Sequence, residues 1–257
     1  MKRIAALLFA CFAVPAMAQE RDFCADRPGA ATPPCTVEPG RVMAEIGLVD
    51  WTHDRNASQS TDTVVLGNFL LRTGISQTAE VQLGWTAIGI ERQRDRVSGV
   101  TSRDHGTGDV TVAVQQGLGK PAAIRAFVTL PTGSGPLGVG DWSAGAMVPL
   151  AFALSHSVEL DLTPEVDAAV NASGKGRHLA YGSVIGLGVG LTGDVSLALD
   201  AALFRDDDPS GHASRATAGA SLAWMAGRNL QLDVGTVAGL NENTPDLEAY
   251  FGVVRRF

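Results

Sequence analysis

The chain has 257 residues, of which 45% are hydrophobic and 18% charged, with 30 glycines and a formal net charge of −7. That length suits one large domain, and the acidic balance excludes the basic footprint of a nucleic-acid-binding protein. No apolar run reaches the roughly 20 residues of a transmembrane helix, so helical spans are excluded as well.

Residues 1–18 read as an export signal. Lys2 and Arg3 form its positive end, Ile4–Val14 its apolar core, and Ala16-Met17-Ala18 a small-residue cleavage site before Gln19. Loss of Lys2 and Arg3 takes the net charge from −7 to −9, which favours cations over anions near the mature protein. Cys11 lies in the signal, leaving Cys24 and Cys35 around Pro28, Gly29, Pro33 and Pro34. An exported compartment permits a disulfide between them, and closing such a loop contributes about 3 kcal/mol in the chain-entropy model. The alternative, a metal site, lacks a Cys-x-x-Cys or clustered histidines. Residues 19–40 show no periodicity. They read as an irregular N-terminal segment that either hangs free in the periplasm or folds into a lumen as a plug.

From residue 41 onward, apolar and polar residues alternate with period two, the mark of a strand between unlike environments. Strands are predicted near 41–51, 63–73, 79–90, 108–117, 122–132, 141–152, 157–168, 179–191, 195–204, 214–225, 229–239 and 247–257. Val158, Leu160, Leu162, Pro164 and Val166 share one face of the clearest strand; Glu159, Asp161, Thr163, Glu165 and Asp167 share the other. Most segments have the length a tilted strand needs to cross a bilayer. Connections at 52–62, 91–107, 133–140, 169–178, 205–213 and 240–246 are long and polar, and those between them are short. Short periplasmic turns alternating with longer outside loops mark a membrane barrel; a soluble sandwich has no reason to keep that rhythm. The expected fold is therefore all-β: a twelve-stranded antiparallel transmembrane β-barrel over 41–257 in a bacterial outer membrane.

Two features interrupt the pattern. Pro164 removes a ladder donor inside a strand, and Gly182, Gly186, Gly188 and Gly190 line one inner face, where glycine marks a kink or a close approach. The N-terminal segment is a candidate for that approach. Trp51, Trp85, Trp142, Trp224, Tyr181 and Tyr250 are placed near strand ends or on the outer face, as in interfacial girdles. The alternating final strand ends in Phe257, which resembles the sorting signal read by the barrel-assembly machinery.

The inner face concentrates the functional groups. Its carboxylates are Glu45, Glu80, Asp109, Asp141, Glu159, Asp161, Glu165, Asp167, Asp200, Asp233 and Glu248; its cations are Arg72, Arg125, Arg215 and Arg256. Two readings stand: a cation-favouring pore lining, or a polar core that pairs across the interior. Outside, Arg92, Arg94, Arg96 and Arg103 share a loop with Glu91, Asp95 and Asp104, suited either to lipopolysaccharide phosphates or to plain solvation. Asp206, Asp207 and Asp208 beside His212 lack the spacing of a calcium loop, and no metal or other cofactor is expected. A lipid-modifying enzyme needs a converged nucleophile, base and orienting group. The five histidines fall in loops or strand ends with no Gly-x-Ser-x-Gly elbow, so catalysis is not expected.

Gly108-Asp109-Val110-Thr111, Phe127-Val128-Thr129-Leu130-Pro131-Thr132-Gly133 and Gly140-Asp141-Trp142 resemble the bacterial family associated with the MetA pathway of phenol degradation. Thr163-Pro164-Glu165-Val166-Asp167 and Arg177-His178-Leu179-Ala180-Tyr181-Gly182 add to the likeness, which runs from about Cys35 to Phe257. The resemblance implies an outer-membrane transporter passing small, aromatic or otherwise hydrophobic solutes. It specifies no binding residue. With outer-membrane lipids around it and no energy-coupling device, the expected function is passive passage. A closed structural or adhesive barrel is the alternative.

Overall fold

Period-two alternation from residue 41 forces a wall with one dry and one wet face, and the computed structural model shows that wall closed into a ring. It describes residues 21–257; the predicted export signal lies outside the described residues. The strands are β1 (Val42–Arg55), β2 (Gln59–Gly74), β3 (Ala79–Asp95), β4 (Thr101–Gly106), β5 (Val110–Gly117), β6 (Ala123–Leu130), β7 (Ser143–Met147), β8 (Leu150–Ala153), β9 (Val158–Val170), β10 (Arg177–Gly190), β11 (Val195–Asp206), β12 (Ala213–Gly227), β13 (Leu230–Gly239) and β14 (Leu247–Arg256). All neighbours pair antiparallel. The β9–β10 ladder and the β14–β1 ladder complete the circuit. At the second seam the Phe257 N–H donates to the Val42 carbonyl at 2.8 Å.

Fourteen segments make twelve staves. β7 and β8 pair with β9 one above the other, as halves of one stave broken at Val148–Pro149. Pro164 lies opposite that break, between the Met147↔Glu165 and Leu150↔Leu162 pairs. The missing ladder donor of one proline thus falls where the neighbouring stave is already interrupted. β4 pairs only with β3 and stands beyond the ring.

The expected loops at 52–62 and 91–107 are corrected. Most of 52–62 continues the β1–β2 ladder, and 91–107 is largely a β3–β4 hairpin. Above the bilayer both faces of a strand meet water, so the apolar alternation stops while the pairing continues.

The outer surface carries Phe69, Leu71, Leu83, Trp85, Val112, Val114, Ile185, Leu199, Leu222, Val234 and Phe251, all exposed. An apolar belt of that extent cannot face water. The buried positions are largely polar: Glu45, Arg72, Glu80, Gln82, Gln115, Arg125, Thr163 and Asp233. This inside-out distribution is that of a transmembrane barrel.

Candidate functional site: a plugged lumen

Charged side chains turned into a narrow barrel must find partners, and residues 21–39 supply them at the short-turn end. Phe23 and Ala25 pack on Val37, Met43 and Val254, fixing the base of the segment to β1 and β14. A disulfide joins Cys24 to Cys35 with Cα atoms 6.2 Å apart. The residues between form a closed ring laid across the lumen.

Asp26 anchors one side of that ring. Its carboxylate lies 3.0 Å from Arg72 on β2 and 2.7 Å from Arg125 on β6. Arg72 is fully buried and also meets Glu45 at 3.1 Å and Glu80 at 2.9 Å. Glu45 accepts the backbone N–H groups of Asp26 and Arg27 at 3.0 and 2.9 Å, and Glu80 accepts that of Val37 at 2.6 Å. Gln115 donates to the Cys35 carbonyl at 2.8 Å and accepts from Arg125 at 2.7 Å. Three carboxylates thus share two guanidiniums. Pairs of this kind are weak sources of net stability, but removing one member strands a buried charge.

Arg27 anchors the other side. Its Nη2 donates to Asp233 on β13 at 2.7 Å, and its Nε to the same oxygen at 3.1 Å. The guanidinium lies over the paired glycines Gly47 and Gly252, where a Cβ on Gly252 would collide with Nε. It also lies 5.2 Å from the centre of the Tyr250 ring, and the Tyr250 hydroxyl donates to the Pro28 carbonyl at 2.7 Å. The tip of the ring reaches β9–β11. A Cβ on Gly186 would meet Ala31 at 3.0 Å and Asp200 at 2.9 Å, and the Thr32 N–H donates to Thr163 Oγ1 at 3.1 Å.

Two spaces flank this plug. A lower cavity of about 1110 Å³ lies between Cys24, Pro34 and Cys35 of the plug and Ala151, Phe152 and Glu159 of the wall. An upper cavity of about 750 Å³ is lined by Phe127, Ser143, Glu165, Asp167, Asp206 and Arg215. One strand, β9, borders both through its inward residues.

The interior residues named from sequence separate into groups. Glu45, Glu80, Arg72, Arg125 and Asp233 grip the plug, as described above. Arg256 joins them, pairing with Glu38 at 3.3 Å. Glu159, Glu165, Asp167 and Arg215 border the two cavities, while Asp161 and Asp200 converge beside Gly186 at the tip of the plug. Glu248 stands one row above Tyr250 on β14, facing Thr52 across the β1 seam. Asp109 holds the 133–140 loop by accepting the Gly133 and Val139 N–H groups at 2.6 and 2.9 Å.

Three placements are corrected. Asp141 does not join the interior. It pairs with Arg177 at 2.8 Å on the rim, where the guanidinium stacks 3.5 Å over the outward Trp142 ring. Tyr250 faces inward rather than lying in a girdle, on the β14 face it shares with Glu248 and Arg256, opposite Asp50. Arg96 leaves the other loop arginines and donates to the Asn56 carbonyl in the β1–β2 turn.

Asp206 and Asp208 flank His178 at 2.6 and 3.3 Å, while Asp207 turns to Arg205 and His212. Asp208 also accepts from the Ser210 hydroxyl and from the Ala172 and Ser210 N–H groups, bonds that hold its carboxyl down at about 2. Sequence reasoning missed Asp26 and Arg27. The available signal was a pair of opposite charges two residues after Cys24 in an otherwise Pro-, Gly- and Ala-rich stretch.

Comparison with solved structures agrees on the architecture. A COG4313 outer membrane channel from Pseudomonas putida F1 superimposes with a TM-score of 0.70 at 14% identity, over 90% of this chain and 99% of that one. The translocator domain of the autotransporter NalP from Neisseria meningitidis gives 0.57 at 12% identity, over 84% and 88%. The CymD monoaromatic hydrocarbon channel gives 0.52 at 6% identity, over 86% and 88%. No curated protein matches. The closed barrel and its apolar belt place the protein in a bacterial outer membrane. The family model described as "Putative MetA-pathway of phenol degradation" matches residues 25–257, and the chain belongs to that family.

Proposed function

We propose that the protein passes small solutes down their gradient across the outer membrane, along the inner face of β9. The carrying observation is the arrangement of the two cavities. Asp167 and Glu165 border the upper one, Glu159 borders the lower one, and the same strand face runs between them. Among the described residues, the plug bonds to that face at mid-height through Thr32 and Thr163, by hydrogen bonds of 3.1 and 3.4 Å rather than a buried ion pair. That contact is the weakest part of the plug's attachment and the natural place for a narrow path to open. The acidic residues along β9 favour cationic or neutral solutes over anions. The family's association with phenol degradation supports small aromatic molecules as the cargo. The proposed role is a passive conduit rather than a catalyst. Phe257, 62% exposed at the end of the closing strand, suits recognition by the assembly machinery before β14 meets β1.

The test is solute-driven swelling of vesicles holding the refolded protein, with phenol-sized neutral, cationic and anionic solutes. Swelling that ranks neutral and cationic above anionic solutes supports the reading. No swelling, with folding verified by heat-modifiable gel mobility, identifies a closed structural barrel.

A further inference from the structure

We infer that the outer face of the β1–β4 extension binds the phosphorylated headgroup of lipopolysaccharide. Residues paired across an antiparallel ladder share a face, so the register sorts this extension into rows. Trp51, Val64, Ile90 and His105 form one row; His53, Asp62, Arg92 and Arg103 the next; Arg55, Ser60, Arg94 and Thr101 the third. The opposite face carries Gly89 and Gly106, against which Leu137 and Ser134 of the inward 133–140 loop pack. The rows with arginine therefore face away from the lumen.

Their height fits the headgroup layer. β3 starts at Ala79 at the short-turn end, and a strand takes about 9–11 residues to cross the hydrocarbon. Ile88 and Ile90, 46% and 42% exposed, complete the apolar belt there. Arg92 is the next outward position, and Arg94 lies a further ~7 Å along the strand.

The charges are segregated by face. Glu91 and Asp104 pair on the inner side, while four arginines and one aspartate stand outside, for a net +3 with His53 neutral (+4 from Arg55, Arg92, Arg94 and Arg103, −1 from Asp62). Asp62 is already committed to His53 at 2.8 Å and lies 4.0 Å from Arg92. Arg92 and Arg103 sit directly across the ladder from each other. Like charges so placed repel, and a phosphate between them would reverse the sign of that contact. Arg55, Arg94 and Arg103 have no ion pair among the described residues. A mixed-charge solvated loop gives no reason for acids to face in and arginines out at this level. A phosphorylated lipid packed against the belt does.

The experiment is native mass spectrometry of the detergent-solubilised protein offered bis-phosphorylated lipid A, monophosphorylated lipid A or phosphatidylglycerol. The unaltered protein should retain bis-phosphorylated lipid A best. Arg94→Ser with Arg103→Ser should lower that retained fraction about ten-fold, the loss expected for two charge-assisted contacts at an exposed site. Arg103→Ser relieves the opposed pair, so folding is not threatened. A matched Arg41→Ser and Arg228→Ser control, at exposed positions of the short-turn end, should bind as the unaltered protein does. Equal retention by the Arg94/Arg103 variant, or phosphatidylglycerol held as well as lipid A, would overturn the assignment. Solute passage is not the readout, so this result stands apart from the channel reading.

Discussion

Replacing Asp26 with Ala should release the plug. The change removes the carboxylate that lies 3.0 Å from Arg72 and 2.7 Å from Arg125. Arg72 retains Glu45 and Glu80, but Arg125 is left with Gln115 as its hydrogen-bond partner. Breaking a buried pair by removing one member costs about 3–5 kcal/mol. The wall is held by backbone ladders that do not involve Asp26, so this loss falls mainly on the docking of the ring. At about 1.4 kcal/mol per factor of ten, the ratio of docked to undocked plug should drop at least ~100-fold. In a planar bilayer the variant should spend a much larger fraction of time in a high-conductance state. The step size should match that of a protein lacking residues 21–40. A folded Asp26→Ala barrel with unchanged traces, beside a deletion that does open, would show that this ion pair does not hold the plug. A silent deletion would refute the channel itself.

Other perturbations test separate parts of the structure. Leu160→Arg puts a charge on the lipid face opposite Phe152, at about 2–4 kcal/mol, so its folding yield in vesicles should fall far below that of Asp161→Asn; equal yields would contradict the assigned faces. Gly252→Ala should displace the Arg27 guanidinium and raise conductance, while Gly193→Ala, whose Cβ meets nothing within 4 Å, should leave it unchanged. Cys24→Ser with Cys35→Ser removes a ring closure worth about 3 kcal/mol in the chain-entropy model, and should loosen the plug under conditions where single-channel traces of the oxidised protein are quiet. Asp208 lies outside the membrane with its carboxyl held low by Ser210 and Ala172. Its folded value is below the ordinary ~3.9, so its tie is intact above about pH 4 and is lost as pH falls through about 2. The Ala172 amide resonance should report a midpoint near 2; a midpoint near 4 would mean the bonds do not form in solution.

The staves were legible because each is a local statement. Leu160 and Asp161 declare opposite environments by adjacency alone, and ten such residues fix a strand. Legibility failed where that contrast vanished. Arg92 and Gln93 are as firmly paired as Leu83 and Gly84, but with polar residues on both faces their periodicity carries no information, so the extension read as a loop. Register slips were also silent. The bulge between Gly47 and Val49 turns Asp50 inward and Trp51 outward, against the parity that Glu45 sets along β1, and no local contrast marks the slip.

The interior charges pose a deeper difficulty, because alternation gives a residue's face but not its partner. Glu45, Arg72, Glu80, Arg125 and Asp233 come from five different staves, and sequence alone allowed them either to pair with one another or to line water. The structure does neither cleanly. It inserts Asp26 and Arg27, adjacent residues of opposite charge, so that one satisfies the arginine side of the lumen and the other the Asp233 side. A single dipeptide thereby reaches charged groups on opposite walls, and the motion that withdraws the plug strips Arg125 of Asp26 and Asp233 of Arg27. Opening along β9 avoids that penalty, because Thr163 and Thr32 give up only neutral hydrogen bonds, each worth about 1 kcal/mol net. The energetics therefore favour a partial opening at β9 over expulsion of the whole segment, and they predict that the deletion and Asp26→Ala proteins conduct through a wider path than the native one.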